Sequence, residues 1–156
     1  KKNVMEFAKK TFISSTNWSE RLGPATAVAF LKKHKKLKAG KILIEKGKQI
    51  REIWEKASNE NGLKINISGI YPLSSFKIDT DNWPVVITYF IQEMLKKNIL
   101  ASDRCYSNIC QDKKSLKKYE NACYEIFYNI AKYLSEESLS KKLEGPIKQM
   151  GFKRLT

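Results

Sequence analysis

The sequence predicts an α+β fold, a small and mostly antiparallel sheet covered by helices. Two observations carry that expectation. Three long stretches place apolar residues at helical spacing, while two short ones alternate apolar and polar residues. The order along the chain is helix, helix, two strands, helix, one or two strands and a long helix, which packs naturally as one sheet with helices on one face.

Each element has a local reason. Residues 1–10, KKNVMEFAKK, suit a short helix. Gly23-Pro24 opens a helix over about 24–37, since Pro in a first turn has no N–H to lose. Ala25, Ala27, Val28, Ala29, Phe30 and Leu31 follow, nearly all apolar, which predicts burial on several sides. KKLKAGK interrupts at Gly40. A second helix spans about 41–60, with Leu43, Ile50, Ile53, Trp54 and Ala57 on one stripe and Asn61-Gly62 as its C-cap.

Leu63, Ile65 and Ile67 alternate with Lys64, Asn66 and Ser68, the period of a half-buried strand. Gly69 and Pro72 mark a turn, and Ser74, Phe76 and Ile78 make a second strand. Pro84 lies in the first turn of a helix over about 85–97, through Ile87, Phe90, Ile91, Met94 and Leu95. NILASDRCYSNIC reads as one or two short strands with a turn at Ser102-Asp103. Asp112 opens the long helix, about 113–134, with Leu116, Cys123, Ile126, Phe127, Ile130 and Leu134 on its buried side. The tail from Ser135 is weakly patterned.

The formal net charge is +14, from 30 Lys+Arg against 16 Asp+Glu. Such a balance invites nucleic acid as a partner. The composition argues back. Only Arg21, Arg51, Arg104 and Arg154 are Arg, the residue suited to bidentate phosphate and base contacts, and the Lys are spread over every segment. A Lys-rich, non-enzymatic module for nucleic acid or an acidic partner is therefore the alternative function rather than the first. No apolar run approaches the ~20 residues of a membrane span. The first ten residues carry four Lys and no apolar stretch, so no secretory leader is expected. Cys105, Cys110 and Cys123 are odd in number and lack C-x-x-C spacing. With His34 as the single His, neither a metal site nor a Ser-His-Asp triad is expected. Free thiols fit a cytoplasmic location.

The stretch TFISSTNWSERLGPATAVAFLKKHKK, residues 11–36, holds most of the functional signal. On the residues alone, Ser14, Ser15 and Thr16 either cap a helix or hold an anion near its start. SSTNWSERLGPATAVAF resembles the segment that begins the last third of class III pyridoxal-phosphate (PLP) aminotransferases of fold type I, in the subgroup similar to glutamate-1-semialdehyde aminomutase. NILASDRCYSNI and GPIKQMGFKRLT resemble later segments of the same subgroup, in the same order.

This resemblance implies that residues 1–39 are the end of a large domain with an interdomain helix, and residues 40–156 a C-terminal small domain. It implies PLP as cofactor and a homodimer in which Thr16, aided by Ser15, holds the cofactor phosphate of the neighbouring subunit. Trp18, Glu20 and Arg21 would stand near a small-molecule amino donor or acceptor. The family's Schiff-base Lys lies upstream of the stretch matching residues 1–10, so no catalytic residue is expected in this chain. It would be the C-terminal portion of an aminotransferase or aminomutase, inactive alone. Two departures bear on substrate. SGIYPLSSFKI lacks an Arg that many relatives use for a substrate carboxylate, and Gln111-Asp112 stands where the family often has His-Thr.

Overall fold

The computed structural model describes Glu6 and residues 20–151. The helix expected over residues 1–10 lies outside these, save for Glu6, which is helical. The chain divides into two compact units, 1–39 and 40–156.

In the first unit, α1 spans Leu22–Lys36. Pro24 sits in its first turn, and Thr26 Oγ1 donates to the Leu22 carbonyl at 2.6 Å. One expectation is corrected here. The chain breaks at Lys38, not Gly40: Lys38 takes a left-handed φ of 49°, and Leu37 and Lys38 close the last turn by donating to the Lys33 and Lys35 carbonyls. Gly40 is thereby free to join the next helix. The apolar run calls for burial against other elements, and a chain that is part of a larger enzyme is expected to leave it exposed; α1 indeed buries none of its residues within this chain, and Phe30 and Leu31 are each 62% exposed. Its apolar side chains are spread around the axis rather than gathered in one stripe, so no single face is presented to a neighbour.

The second unit contains a three-stranded antiparallel sheet in the order β1-β2-β3: Ile65–Ile70, Leu73–Ile78 and Arg104–Tyr106. Ile65 pairs with Ile78 and Ile67 with Phe76, so the alternation read from the sequence points one way on both strands. Three helices cover that face: α2 (Ala39–Glu60), α3 (Trp83–Lys96) and α4 (Lys113–Ser135). Phe76 is the hub. Its ring lies 4.9 Å from Trp54 of α2, 5.9 Å from Trp83 and 5.2 Å from Phe90 of α3, and 5.7 Å from Phe127 of α4, measured between centroids.

The helix ends follow local chemistry. Asp112 caps α4 by accepting from the Ser115 amide at 2.7 Å. After α2, Gly62 takes φ +64°, and Leu63 donates to the Ser58 carbonyl. On α3, Leu95 is 60% exposed. It follows Met94 by one residue, about 100° round the helix, and so turns away from the core.

The tail, unpatterned in sequence, has a definite course. After a 3₁₀ turn at Leu139–Lys142, which buries Leu139, it runs along α3. Thr88, Gln92 and Lys96, four apart on one face, hold it. Thr88 Oγ1 accepts from the Lys148 amide at 2.8 Å, Gln92 Oε1 from the Glu144 amide at 2.8 Å, and Lys96 Nζ meets Glu144 at 2.6 Å.

Candidate functional site

Five residues were singled out by sequence. Ser15, Thr16 and Trp18 lie outside the described residues. Glu20 and Arg21 are both exposed where α1 begins, and the Arg21 carbonyl accepts from the Ala25 amide at 3.1 Å. Glu20 borders a shallow depression with Leu22, Gly23, Thr26, Ala27 and Phe30. Neither residue forms an ion pair among the described residues.

In the second unit, the segment between α3 and α4 builds a cleft of about 700 Å3. Asn98 starts it. With φ +55° it ends α3, while Ile99 donates back to the Met94 carbonyl. The chain then crosses to the sheet, where β3 pairs with β2 and the Asp103 carbonyl accepts from the Phe76 amide at 2.9 Å. Asn108 and Gln111 fold the return: Asn108 Oδ1 accepts from the Cys110 amide, and Gln111 Oε1 from the Asn108 amide. The opposite wall is the first two turns of α4, through Ser115, Leu116, Lys118 and Tyr119, and Ile50 of α2 also lines the cleft.

The cleft is lined mostly by uncharged side chains. Its only charged lining residues are Arg104 and Lys118; no carboxylate lines it. Burial raises the Cys105 thiol above its ordinary range, against a hydrogen bond with Gln111, so it is not held as a reactive thiolate. Burial likewise raises Cys123 in the core. The Tyr119 hydroxyl is raised well above the phenol range by desolvation, and accepts from Trp54 Nε1 at 2.7 Å. No nucleophile paired with a base stands in the cleft, and among the described residues no group of His, Cys, Asp and Glu could hold a metal ion.

A second built feature lies where the β1–β2 hairpin meets α2. Gly69, at φ +87°, lets the hairpin fold tightly; a Cβ there would strike the Leu73 carbonyl. A Cβ on Gly47 would likewise run into the Tyr71 carbonyl, so this glycine lets the hairpin lie directly on the helix. One turn on, Arg51 Nε donates to Ser74 Oγ and Nη2 to the Gly69 carbonyl, both at 2.7 Å. All of its neighbours here are structural.

No protein-family model matches the sequence, and no curated protein matches it. The fold does have a likeness among solved structures. It is similar to the FumI protein of Sphingopyxis sp. MTA144, solved in its PLP internal aldimine form, with a TM-score of 0.67 and 16% sequence identity over 84% of this chain. At that identity the likeness shows the fold. The chain spans 32% of the FumI chain's length.

The described residues do not by themselves fit PLP. The cofactor needs an amine kept from solvent and a phosphate cradle. No described lysine is buried, and Ser15 and Thr16 fall outside the described residues. Cleft residues Arg104, Lys118 and Tyr119 were not found by sequence reasoning. The nearest signal was the resemblance of NILASDRCYSNI to a segment near a substrate.

Proposed function

We propose that this chain is the C-terminal portion of a PLP-dependent aminotransferase or aminomutase that moves an amino group on a small amino or keto substrate. One observation carries the reading: the fold is similar, over 84% of the chain, to that of a protein solved with PLP. The colinear resemblance of residues 11–36 and 98–109 to the class III family, in the subgroup similar to glutamate-1-semialdehyde aminomutase, supports the finer assignment.

In the proposed enzyme, Thr16 donates its hydroxyl, and Ser15 its backbone N–H, to the cofactor phosphate across a homodimer interface. Trp18, Glu20 and Arg21 stand at the mouth of the site. The exposed apolar residues of α1, Val28, Phe30 and Leu31, belong to surface covered by the rest of the enzyme or by the second subunit. The amine that anchors PLP comes from chain upstream of Lys1, and the intact enzyme is cytoplasmic. PLP itself supplies the electron sink for amino-group chemistry.

The test is the DNA upstream of the Lys1 codon, followed by co-expression. An open frame encoding a strand, a Lys and a Gly-rich turn is expected. Its product, combined with this chain, should retain PLP through dialysis and convert it to the pyridoxamine form with an amino donor. This chain alone should do neither above the level of a Lys-rich control protein. A stop codon directly upstream, or a combined protein that never retains PLP, would overturn the reading.

A further inference from the structure

We propose that the lysine-rich end of α1, residues 32–38, binds the phosphate backbone of duplex nucleic acid without regard to base sequence. This goes beyond the enzyme reading and does not rest on it.

The structure sorts lysines that composition cannot tell apart. Along the chain no Asp or Glu occurs between Glu20 and Glu45, while Lys32, Lys33, Lys35, Lys36 and Lys38 crowd together. All five are exposed, and among the described residues none forms an ion pair. In the second unit, by contrast, Lys48, Lys64, Lys96, Lys97, Lys117 and Lys148 each meet a carboxylate.

The unpaired charges also share a side. At about 100° per residue, Lys32, Lys33, Lys35 and Lys36 occupy an arc of roughly 160° of the helix surface. Phe30 and His34, whose rings lie 5.9 Å apart, stand outside that arc. Lysines three and four apart on a helix repel one another. The helix dipole favours cations in the last turn, which accounts for Lys33, Lys35 and Lys36 but not for Lys32 before it or Lys38 after it. A row of phosphates relieves the repulsion along the whole arc and releases counterions as it binds.

The side-chain chemistry selects the partner. Residues 22–38 hold no Arg, Asn or Gln, the side chains best suited to read base edges, so the contact is to backbone rather than to sequence. A membrane surface fits less well, because the apolar residues of α1 are spread around its axis and leave no apolar face to enter lipid opposite a charged one.

The experiment is fluorescence anisotropy of a labelled, random-sequence DNA duplex titrated with the chain. With four lysines engaged, the binding constant should fall by roughly 100-fold between 50 and 200 mM salt. Changing Lys32, Lys33, Lys35 and Lys36 together to Gln should weaken binding at low salt by at least about tenfold and flatten the salt dependence. Lys56, Lys113, Lys114 and Lys141 are exposed lysines of the second unit outside any ion pair. Changing those four to Gln removes the same charge and should alter binding by less than about twofold. Arg at the four α1 positions keeps the charge and should bind at least as well as the parent, which separates loss of charge from loss of helix. Polyglutamate and phosphatidylserine-rich vesicles stand for an acidic protein and a membrane, and each should compete at least about tenfold less well than unlabelled duplex. Equal losses in the two Gln variants, an α1 Gln variant that binds as before, an Arg variant that does not bind, or equal competition by polyglutamate or vesicles would each overturn the proposal. Retention of PLP by the combined enzyme is a separate measurement, so either reading can fail while the other stands.

Discussion

The guanidinium carbon of Arg51 lies 4.5 Å from the centroid of the Tyr71 ring, while the same side chain hydrogen-bonds Ser74 and the Gly69 carbonyl. One residue thus ties α2 to both strands and the turn of the β1–β2 hairpin. Planarity matters as much as charge, because the group stacks on a ring and donates in its own plane at once. Arg51→Ala should destabilise the chain by about 1–3 kcal/mol, from the charged hydrogen bonds and the ring contact together. Arg51→Lys should recover less than half of that. Urea unfolding with an unchanged m-value checks it; a lysine variant as stable as the parent would mean that charge alone suffices.

Trp54 is fully buried, and its one polar atom is satisfied by Tyr119. Tyr119→Phe keeps the ring and removes the acceptor, leaving Nε1 buried without a partner. That should cost about 1–3 kcal/mol, the penalty for an orphaned buried donor. In a Trp54→Phe background the same change should be nearly neutral. Additive losses in that double-mutant cycle would show that the hydroxyl stabilises through something other than Trp54.

The stability that Glu93 contributes on α3 should depend on pH. Partial burial works against the charged form of Glu93, but hydrogen bonds from Lys96 and Gln92 hold its carboxyl below the ordinary 4.5. A lowered carboxyl contributes stability that is present above its unfolded value and is lost as pH falls through the folded value. Lys96 is raised above 10.5 by Glu144 and Glu93, so its contribution is present below that value and is lost only at higher alkaline pH. The chain should therefore lose this part of its stability as pH drops below the ordinary carboxylate range, seen in urea unfolding followed across acid pH. Glu93→Gln should remove the Glu93 part of that acid step. An unchanged step would place its origin elsewhere.

In the complete enzyme, Thr16→Ala should weaken PLP binding by about 10- to 150-fold, since a charge-assisted hydrogen bond is worth roughly 1.5–3 kcal/mol. Thr16→Ser keeps the hydroxyl and should bind PLP as the parent does. Activity of the Ala variant should return at high added PLP. Equilibrium dialysis against PLP checks the affinity; an Ala variant of unchanged affinity would reduce Thr16 to a helix cap.

What the sequence determined by itself was whatever depends on neighbours within one or two turns. The stripe Ile50, Ile53, Trp54 and Ala57 marks the buried face of α2, the alternation through Ile65, Ile67, Phe76 and Ile78 marks the hairpin, and Asp112 and Gly62 mark helix ends. Spacing and capping are local, so they survive without tertiary context. Only the tertiary structure decided what joins distant residues. Trp54 finds Tyr119 65 positions away, Thr88 finds the Lys148 amide 60 away, and Asp103 finds Lys148 45 away. A Thr, Gln or Lys on a helix surface bears no mark of the partner it will meet, because hydrogen bonds and ion pairs are specified by approach in space, not by spacing along the chain. The cleft has the same origin. Arg104 and Lys118 come to one wall and its opposite only because β3 pairs with β2 and Asp112 starts α4 where it does.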